Sequence, residues 1–483
     1  MNTKDSQPLS WERVKAEFQR IWGYEDFRPP QGEIIRSLLS RQDALIVMPT
    51  GGGKSICFQL PALLQTGLTL VISPLVALME NQVQELREKN LPAALLHSQI
   101  PAQQRQQTLR LLEQNRLRLL YVSPETLFSS SVWSLIAHPR TLVNGLILDE
   151  AHCLVQWGDT FRPAYRRLGA VRPTLLKLKQ NAQKFAIAAF TATANPASQQ
   201  TIQTVLDLEN PKSFLVNPYR PNLNLNIQTV WTPRGRREQL LKLIQTRRKQ
   251  TGLVYVRTRK DSEELANWLQ EQDYKTAAYH AGLSGEERRQ IEQAWLTGSL
   301  KFVVCTSAFG MGINKPNVRW VLHFQAPFLL SEYLQEVGRA GRDGKPAFAL
   351  TLVSEPTGWL YPEDKQRRQY LQDNWRQQYQ QANQLVKKLP KQGEIEEISR
   401  QFRNSATALS VLHSSGQLTW KDPFHYIINS TSVAFPDHNT QAIKQMTQYL
   451  NTRQCRWRFL LEAFGFNKEA EFMGCGHCDN CQR

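Results

Sequence analysis

Two short stretches in the first half of the chain carry residues suited to phosphate and metal chemistry. The first, "MPTGGGKS" (48–55), has Gly51, Gly52 and Gly53 followed by Lys54 and Ser55, with an apolar strand before it and an apolar helix after it. Glycines let backbone N–H groups wrap phosphate oxygens, and the helix that follows offers its positive N-terminal end. Lys54 can then reach the terminal phosphates of a nucleotide, and Ser55 can ligate Mg²⁺. An ordinary Gly-rich turn would need neither the strand nor the helix.

The second stretch, "LILDEAH" (146–152), ends an apolar strand with the carboxylates Asp149 and Glu150. Asp149 is placed to hold Mg²⁺, directly or through water. Glu150 could orient or deprotonate an attacking water. A bare Asp-Glu pair is more often a solvated loop. The apolar strand and the phosphate loop upstream favour the catalytic interpretation.

A third stretch, "QEVGRAGRDG" (335–344), offers two arginines to a distant phosphate. Arg339 and Arg342 are three residues apart, so they share one face of a helix. Arginines directed at another domain's phosphates can stabilise charge in a transition state. The alternative is an exposed basic helix, which would be preferred if the chain had no phosphate loop.

Aromatic and basic residues follow the carboxylates in "QWGDTFRPAYRRLG" (156–169). Trp157, Phe161 and Arg162 could stack on bases and contact phosphates, since aromatic stacking tolerates any sequence. The alternative places both aromatics in the core. Gly158 and Pro163 make a buried loop awkward, so we expect an exposed one.

The elements that must position these residues are short apolar strands separated by helices. We expect strands at 43–48, 68–73, 117–123, 145–149 and 185–193, with helices at 76–89 and 101–115. The pattern restarts after a loop, with strands at 251–256, 275–280, 300–306, 318–324 and 347–353 and helices at 236–249, 260–271 and 284–298. Continuous apolar strands alternating with helices predict parallel sheets covered on both faces. The expected fold class is therefore α/β, with two tandem domains.

Four of the seven cysteines crowd the C-terminus: Cys455, Cys475, Cys478 and Cys481. Four thiolates suit a closed tetrahedral Zn²⁺ site, and the Cys-x₂-Cys-x₂-Cys run would supply three of them. The alternatives are free thiols or an iron–sulfur cluster. A structural zinc site of this kind should be needed for its subdomain to fold.

The region before the cysteines changes composition at about residue 356, where a Gln- and Arg-rich helical stretch begins. Helix, turn, helix and hairpin signals then predict a winged-helix module, which would add contacts to duplex DNA. The alternative is a helical insert that packs on the second domain. The expected division is 1–212, 213–355, 356–390 (helical), 391–436 (winged-helix-like) and 437–483 (zinc-binding).

The overall composition points to a polyanionic partner. The formal net charge is +17, from 59 Lys and Arg against 42 Asp and Glu. Such a charge suits nucleic acid, although net charge alone does not separate it from an anionic membrane. No apolar run is long enough to cross a bilayer, and no apolar leader opens the chain, so a cytoplasmic protein is expected.

Taken in order, the motifs resemble those of superfamily 2 helicases, and more narrowly of RecQ DNA helicases. The matching stretches are "MPTGGGKS", "ISPLVALMENQV", "LDEAHCLVQWG", "FTATA", "VVCTSAFGMGINKP" and "QEVGRAGRDG". "WGYEDFRPPQGEII" (22–35) resembles the additional N-terminal motif of the family, and the terminal cysteines resemble its zinc subdomain. The resemblance covers roughly 20–355 and resumes at 455–481; the family's HRDC-type domain is not expected.

The resemblance implies two RecA-like domains with ATP and Mg²⁺ in the cleft between them, and one structural Zn²⁺. The implied catalytic residues are Lys54, Asp149, Glu150, His152, Gln335, Arg339 and Arg342. The implied nucleotide-binding residues are Phe27, Arg28, Gln31, Thr50, Gly51, Gly52, Gly53, Lys54 and Ser55, with Gln31 recognising the adenine. The implied DNA contacts are Ser73, Pro74, Gln156, Trp157, Phe161, Arg162, Thr258, His280 and Thr306.

The implied activity is ATP-driven unwinding of duplex DNA with 3′–5′ polarity, in recombination and repair. The implied partners are single-stranded and duplex DNA, and a single-strand-binding protein; a monomer is expected. Asp159 and Thr160 stand where the family usually has His-Asp, and Glu80 and Asn81 where a Lys-Asp pair is common. These departures leave open a DNA-stimulated ATPase, translocase or annealing factor without efficient unwinding. An RNA helicase and a non-catalytic binding protein are further alternatives.

Overall fold

The computed structural model describes residues 10–156, 162–179, 183–310, 313, 315–430 and 437–482. These residues form two parallel sheets, one small antiparallel sheet and helices around them. No helix among them is long and apolar enough to cross a membrane.

The first sheet has the order β3-β4-β2-β5-β6-β1-β7, and all its paired strands are parallel. Its strands are β1 (Ala44–Val47), β2 (Leu68–Ile72), β3 (Ala93–Leu96), β4 (Leu119–Val122), β5 (Val143–Leu148), β6 (Ala186–Thr191) and β7 (Lys212–Leu215). Alternate residues of β1 enter two different cores: Leu45 packs in one and Ile46 in the other. Because both faces are covered, the strands inside the sheet are mostly apolar, whereas edge strand β7 exposes three of its four residues.

Helices cover both faces of this sheet. They are α1 (Trp11–Trp22), α2 (Gln31–Leu39), α3 (Lys54–Leu64), α4 (Val76–Glu88), α5 (Ala102–Glu113), α6 (Pro124–Leu127), α7 (Ser130–Ala137), α8 (His152–Gln156), α9 (Val171–Leu178) and α10 (Pro196–Val205), with a 3₁₀ helix at Pro163–Ala170. Several begin with side-chain caps, such as Ser123 before α6 and Asn195 before α10. These caps satisfy amide groups that a helix leaves unpaired at its start.

The second sheet has the order β10-β11-β9-β12-β13-β8 and is also parallel. Its strands are β8 (Leu223–Val230), β9 (Thr251–Tyr255), β10 (Ala278–Tyr279), β11 (Phe302–Cys305), β12 (Val318–His323) and β13 (Ala347–Ser354). Its helices are α11 (Pro233–Thr246), α12 (Arg259–Gln270), α13 (Gly285–Thr297) and α14 (Leu330–Val337). Two tandem parallel-sheet domains are thereby confirmed.

The rest of the chain is a long helix, a small mixed module and a terminal helical region. The long helix is α15 (Glu363–Val386). The module comprises β14 (Gln392–Glu394), α16 (Ile395–Gln401), α17 (Ser405–Ser414), β15 (Leu418–Trp420) and β16 (His425–Ile428), with antiparallel order β14-β16-β15. The terminal helices are α18 (Asp437–Asn451), α19 (Arg456–Ala463) and α20 (Asn467–Ala470). Two helices followed by a hairpin agree with the winged-helix expectation.

The ten expected strands are all present, but β3, β7 and β8 were not anticipated. All three are edge strands of their sheets, and β8 alternates buried and part-exposed residues. β7 pairs with β1, so the first sheet continues to Leu215 and the second begins at Leu223. The expected boundary at 212/213 falls inside β7.

Candidate functional site

The phosphate loop joins the carboxyl end of β1 to α3, which begins at Lys54. Gly51 and Gly53 have φ of 86° and 76°, in the left-handed region that favours glycine. A Cβ on Gly52 would approach the Met48 side chain and the Pro49 carbonyl at 3.1 and 3.2 Å. The loop is therefore held in a conformation that only glycine accommodates without strain at residues 51 and 53.

The carboxylates Asp149 and Glu150 follow β5, two strands from β1 in the sheet. Glu150 Oε1 lies 3.9 Å from Lys54 Nζ, and Glu150 Oε2 lies 3.3 Å from His152 Nδ1. Asp149 Oδ2 accepts a hydrogen bond of 3.2 Å from Gln82 Nε2. The structure thus brings the lysine, both carboxylates and His152 together at one edge of the sheet.

The buried charges give the two carboxyl groups opposite pKa shifts. For Asp149, burial and then the neighbouring Glu150 charge raise the pKa to about 6, against the opposing effect of Lys54. For Glu150, burial acts in the same direction, but Lys54, His152 and Arg339 together lower the pKa to about 2. Glu150 therefore stays ionised, while a nearby cation would favour the ionised form of Asp149.

The second domain reaches this site through α14 and the turn after it. Arg339 and Arg342 both lie in that turn, so the expectation that they share one face of a helix is wrong. Thr50 Oγ1 donates a hydrogen bond of 3.4 Å to the Gly338 carbonyl. Arg342 Cδ lies 3.8 Å from the position that a Cβ on Gly51 would take. Arg339 is buried and donates to the Gly310 carbonyl. Residues of both domains therefore meet at the phosphate loop.

The site residues fit a nucleoside triphosphate with Mg²⁺. Lys54 Nζ is buried and donates no hydrogen bond within the described part of the chain, so its protons are available to phosphate oxygens. Asp149 and Ser55 provide oxygen atoms, which Mg²⁺ prefers. Arg342 lies beside the same loop, where its charge would be neutralised by phosphate.

A buried ion group that sequence reasoning missed supports α14. Arg257, just after β9, donates to both oxygens of Glu336 at 3.1 and 2.9 Å. His323 Nε2, at the end of β12, lies 3.1 Å from Glu336 Oε2. Glu336 follows Gln335 on α14. The ion group therefore holds in place the helix whose C-terminal end contacts the first domain. Its members are scattered along the chain, and no local spacing indicates them.

Gln31 lies against the phosphate loop. Its Nε2 donates to the carbonyls of Gly52 and Gly53 at 3.0 and 3.4 Å, and its Oε1 accepts 3.0 Å from the Arg28 amide. Phe27 stacks on Phe18 beneath it, with ring centroids 4.3 Å apart. Adenine recognition by Gln31 stays a prediction; the observed contacts hold the loop.

The residues expected to contact DNA follow parallel strands in both sheets. Ser73 and Pro74 follow β2 and are buried. Thr258, His280 and Thr306 follow β9, β10 and β11, which are neighbours in the second sheet. Since the carboxyl ends of parallel strands share an edge, these residues lie along the same edge of each sheet.

Two of these side chains already have local partners. Thr258 Oγ1 caps α12 by accepting from the Asp261 amide at 3.0 Å, and His280 Nε2 lies 2.8 Å from Glu263 Oε1. Glu80, one of the family departures, lies 3.9 Å from His97 Nε2. The DNA contacts expected of these residues stay predictions.

The aromatic-rich loop itself lies outside the described residues, which resume at Arg162. Trp157, Asp159, Thr160, Phe161 and the side chain of Gln156 are among those not described. Arg162 Nη1 lies 3.1 Å from Glu125 Oε2 on α6. The predicted stacking role of this loop therefore stays a prediction.

The four C-terminal cysteines meet in one cluster, with every Sγ within 4.8 Å of the others. Cys475 and Cys481 Sγ are 3.9 Å apart, close to the roughly 3.8 Å that a tetrahedron of Zn–S bonds of about 2.3 Å requires. Backbone amides of Cys475 and Arg456 donate to Cys455 and Cys478 sulfurs, both at 3.4 Å. An iron–sulfur cluster, with several metal atoms between its ligands, would hold the sulfurs further apart. Zn²⁺ fits.

The zinc region packs on the second sheet. Trp457 Nε1 donates to the Leu223 carbonyl at 3.2 Å, and the Asp479 amide donates to Leu225 at 3.1 Å. Arg456 is paired with Asp479 at 2.8 Å. The metal would hold this corner together and thereby stabilise the edge strand β8.

The winged-helix-like module packs on α15 and the first domain, through α17 and the hairpin. The alternative expectation was a helical insert packed on the second domain. That location is wrong, because the module packs on the first domain. The second domain holds α15, while the aromatic partners of the hairpin belong to α7 and the residue after α6.

Together, the paired sheets, the shared phosphate site and the zinc cluster define a class: a nucleotide-driven motor of two RecA-like domains with a zinc-binding appendage. Models of three families match: the DEAD/DEAH box helicase at 28–202, the helicase conserved C-terminal domain at 235–344 and the RecQ zinc-binding domain at 423–482. All three matches follow the order of the elements described above.

Relatives narrow the class. The chain is 53% identical to the ATP-dependent DNA helicase RecQ of Synechocystis over 97% of this chain and 98% of that protein. It is 41% identical to the Haemophilus influenzae RecQ over 72% of this chain and 55% of that protein, and 32% identical to a Bacillus subtilis RecQ over 97% and 67%. The chain belongs to the RecQ family of ATP-dependent DNA helicases.

Solved structures agree on the fold. The Mycobacterium smegmatis helicase Lhr, bound to single-stranded DNA and AMP-PNP, has a TM-score of 0.57 at 20% identity, covering 90% of this chain and 61% of that one. Saccharomyces cerevisiae Dbp5, bound to RNA and ADP BeF3, has a TM-score of 0.56 at 15% identity, covering 74% and 90%. At these identities the likeness concerns the fold alone.

Proposed function

We propose that this chain hydrolyses ATP to move 3′–5′ along single-stranded DNA and thereby separates duplex DNA, in recombination and repair. The carrying observation is the shared site, where Arg342 of one domain lies against Gly51 of the other. A site completed by two domains can change shape with each turnover, which a motor needs and a vestigial binding site does not. We keep the division at residues 355, 390 and 436 as part of this proposal, and move the first boundary from 212 to the segment between β7 and β8.

Hydrolysis uses groups whose positions are set by β1, β5 and α14. Lys54 and the loop amides bind the terminal phosphates, and Asp149 and Ser55 hold the metal. When bound there, Mg²⁺ would supply positive charge to the phosphate oxygens. Glu150, ionised and 3.9 Å from Lys54 Nζ, orients the attacking water and takes its proton. Arg339 and Arg342 stabilise the charge that develops as the phosphate leaves.

The same groups connect the nucleotide to the DNA edge. His152 Nδ1 lies 3.2 Å from Thr191 Oγ1, which in turn donates 3.1 Å to the Thr193 carbonyl. Gln82, on the helix that follows Ser73 and Pro74, bonds to Asp149. A change at the carboxylates would therefore shift α4, which begins two residues after the predicted DNA contact Pro74.

The DNA strand would lie across the carboxyl edges of both sheets, from Ser73 in the first domain to Thr258 and Thr306 in the second. Closing the cleft then shortens the distance between the DNA contacts of the first domain and those of the second, and opening the cleft lengthens that distance. The net charge of +17 supports phosphate binding along this path.

The working unit is proposed to be a monomer, since the chain itself supplies both halves of the nucleotide site. A single-strand-binding protein is proposed as a partner on the family resemblance. Sedimentation and a binding assay with the purified protein test these two points.

The test of polarity compares strand displacement on duplexes that carry a 3′ tail, a 5′ tail or none. The proposal expects displacement only with the 3′ tail. Displacement from the 5′ tail alone would overturn the polarity. DNA-stimulated hydrolysis with no displacement on any duplex would favour the alternative, a translocase or annealing factor.

A further inference from the structure

The tip of the module's hairpin is docked in an aromatic socket on the first domain. The ring of Phe424 meets those of Trp133 and Phe128 edge-on, with centroids 5.4 and 6.1 Å apart. Arg167 lies 4.4 Å over the Phe128 ring and donates 3.1 Å to the Pro423 carbonyl. Phe424 packs with the core of the first domain and is not part of the module's own core.

The helix that would read DNA in a winged-helix protein is covered here. Every residue of α17 is buried or half-buried, and the helix contains no lysine or arginine. It packs between α15 and the 3₁₀ helix Pro163–Ala170. The module is therefore attached to protein on the surfaces that such modules usually offer to duplex DNA.

The other end of this arm is fixed to the second domain. Asp364, in the first turn of α15, pairs with Arg236 at 2.9 Å, and both are buried. Asp364 Oδ2 also accepts 2.7 Å from the Ser354 amide at the end of β13. Arg367 lies 3.5 Å from Asp261, at the start of α12.

Both attachments lie beside the predicted DNA path. In the first sheet, the socket and the 3₁₀ helix follow β4 and β5, and β2, which ends before Ser73, lies between those strands. In the second, α15 follows β13 and contacts Asp261, three residues after Thr258. The 24 residues of α15 span roughly 36 Å at about 1.5 Å per residue.

We propose that α15 and the docked module close a ring over the single-stranded DNA path, with Phe424 as its latch. The ring runs from the first domain across the nucleotide cleft to the second domain, along α15 and back through Phe424. This inference rests on the proposed function, since it takes the strand to follow the carboxyl edges of both sheets. A strand held in the ring leaves only from an end or after the latch opens.

The direct test closes the latch covalently. Cysteines introduced as Trp133→Cys and Phe424→Cys are bridged by a short bis-maleimide, with each single variant as a labelling control. If the ring encloses the strand, enzyme bridged before mixing binds linear but not circular single strands. Enzyme bridged after mixing stays on circular strands in high salt until they are cut. Equal loading of bridged and unbridged enzyme on circular strands would overturn the proposal.

A second variant opens the latch without touching the nucleotide site. Phe424→Ala should shorten the lifetime of the complex on long single strands at least about threefold, because an aromatic cluster is lost. Hydrolysis without DNA should be unchanged. Lys421→Ala, at an exposed residue of the same hairpin, is the matched control. An unchanged lifetime in Phe424→Ala counts against the latch.

These outcomes separate the ring from the motor. If unmodified enzyme shows no DNA-stimulated hydrolysis, the proposed function fails. If it does, and bridging leaves loading on circles unaffected, the ring alone fails and the module is a brace with DNA outside it.

Discussion

Arg342 of the second domain lies against Gly51 of the phosphate loop, with its Cδ atom 3.8 Å from where a Cβ on Gly51 would be. Burial and the neighbouring Arg339 and Arg220 charges lower the pKa of Arg342 to about 10, and Glu150 opposes them. Because like charges surround this guanidinium, binding of negatively charged phosphate oxygens would stabilise its charged form. A nucleotide bound at the phosphate loop would therefore contact both domains.

Replacing Arg342 should therefore affect turnover more than binding. We expect Arg342→Ala to lower kcat for ATP about 10³-fold, within the range for arginines that act on a transferring phosphate. Steady-state hydrolysis with saturating single-stranded DNA measures it. Arg319→Ala, which removes a nearby arginine paired with Asp343, is the control and should retain activity. Similar rates in both variants would contradict this role.

Glu150 should be needed for chemistry and dispensable for holding the nucleotide. Glu150→Gln keeps the shape of the side chain but removes the base, so we expect turnover to fall at least about 100-fold. Binding of a fluorescent ATP analogue should remain. Glu88→Gln, on the exposed end of α4, is the control. Loss of binding together with turnover would mean that Glu150 shapes the site and does not act on water.

Zinc should be held by the cysteine cluster alone. We expect the purified chain to contain one zinc and Cys478→Ser to lose it, as measured by elemental analysis. The variant should also unfold at lower temperature, because the cluster packs on β8 through Asp479 and Trp457. Cys305→Ala, at a buried cysteine of β11, should keep its zinc. Full zinc content in Cys478→Ser would remove that residue from the site.

The buried Glu336 should give the second domain a specific acid sensitivity. Burial opposes ionisation, but Arg257 and His323 lower the pKa of Glu336 to about 2, from an ordinary value of 4.5. Folding therefore favours the ionised form. Its stabilisation is complete above the unfolded pKa and is lost as the pH falls from about 4.5 toward 2.

Glu336→Gln tests this contribution. At neutral pH the variant should lose about 3–5 kcal/mol of unfolding free energy, because Arg257 is left buried without its partner charge. The difference from the parent protein should shrink below about pH 4.5, as urea titrations would show. Glu264→Gln, in an exposed pair with Lys260, should change stability by less than about 1 kcal/mol. A difference that is constant with pH would contradict the assignment.

The parts of the site that could be predicted from the sequence are those whose residues lie close together along the chain. Glycines before Lys54, and Asp149 after an apolar strand, are patterns of a few residues. Gln82 contacts Asp149 across 67 residues of chain, and Arg257 reaches Glu336 across 79. Such contacts depend on the order of strands in the sheets, which local patterns do not specify.

The same limit applies to the fold. The central strands of both sheets were found as mostly apolar runs, whereas the edge strands β3, β7 and β8 were missed; β8 alternates buried and part-exposed residues. The winged-helix topology was visible as helix, turn, helix and hairpin. Its location was not, because Arg167 meets the hairpin at Pro423, 256 residues further along.

The most direct measurement follows ATP hydrolysis and strand displacement together on one 3′-tailed duplex, for the parent protein and Lys54→Ala. Lys54 Nζ is buried beside Glu150 and donates no hydrogen bond among the described residues, so phosphate is its expected partner. We expect both activities in the parent protein and a loss of at least about 100-fold of each in the variant, with folding retained. Displacement that persists without Lys54 would contradict a nucleotide-driven helicase.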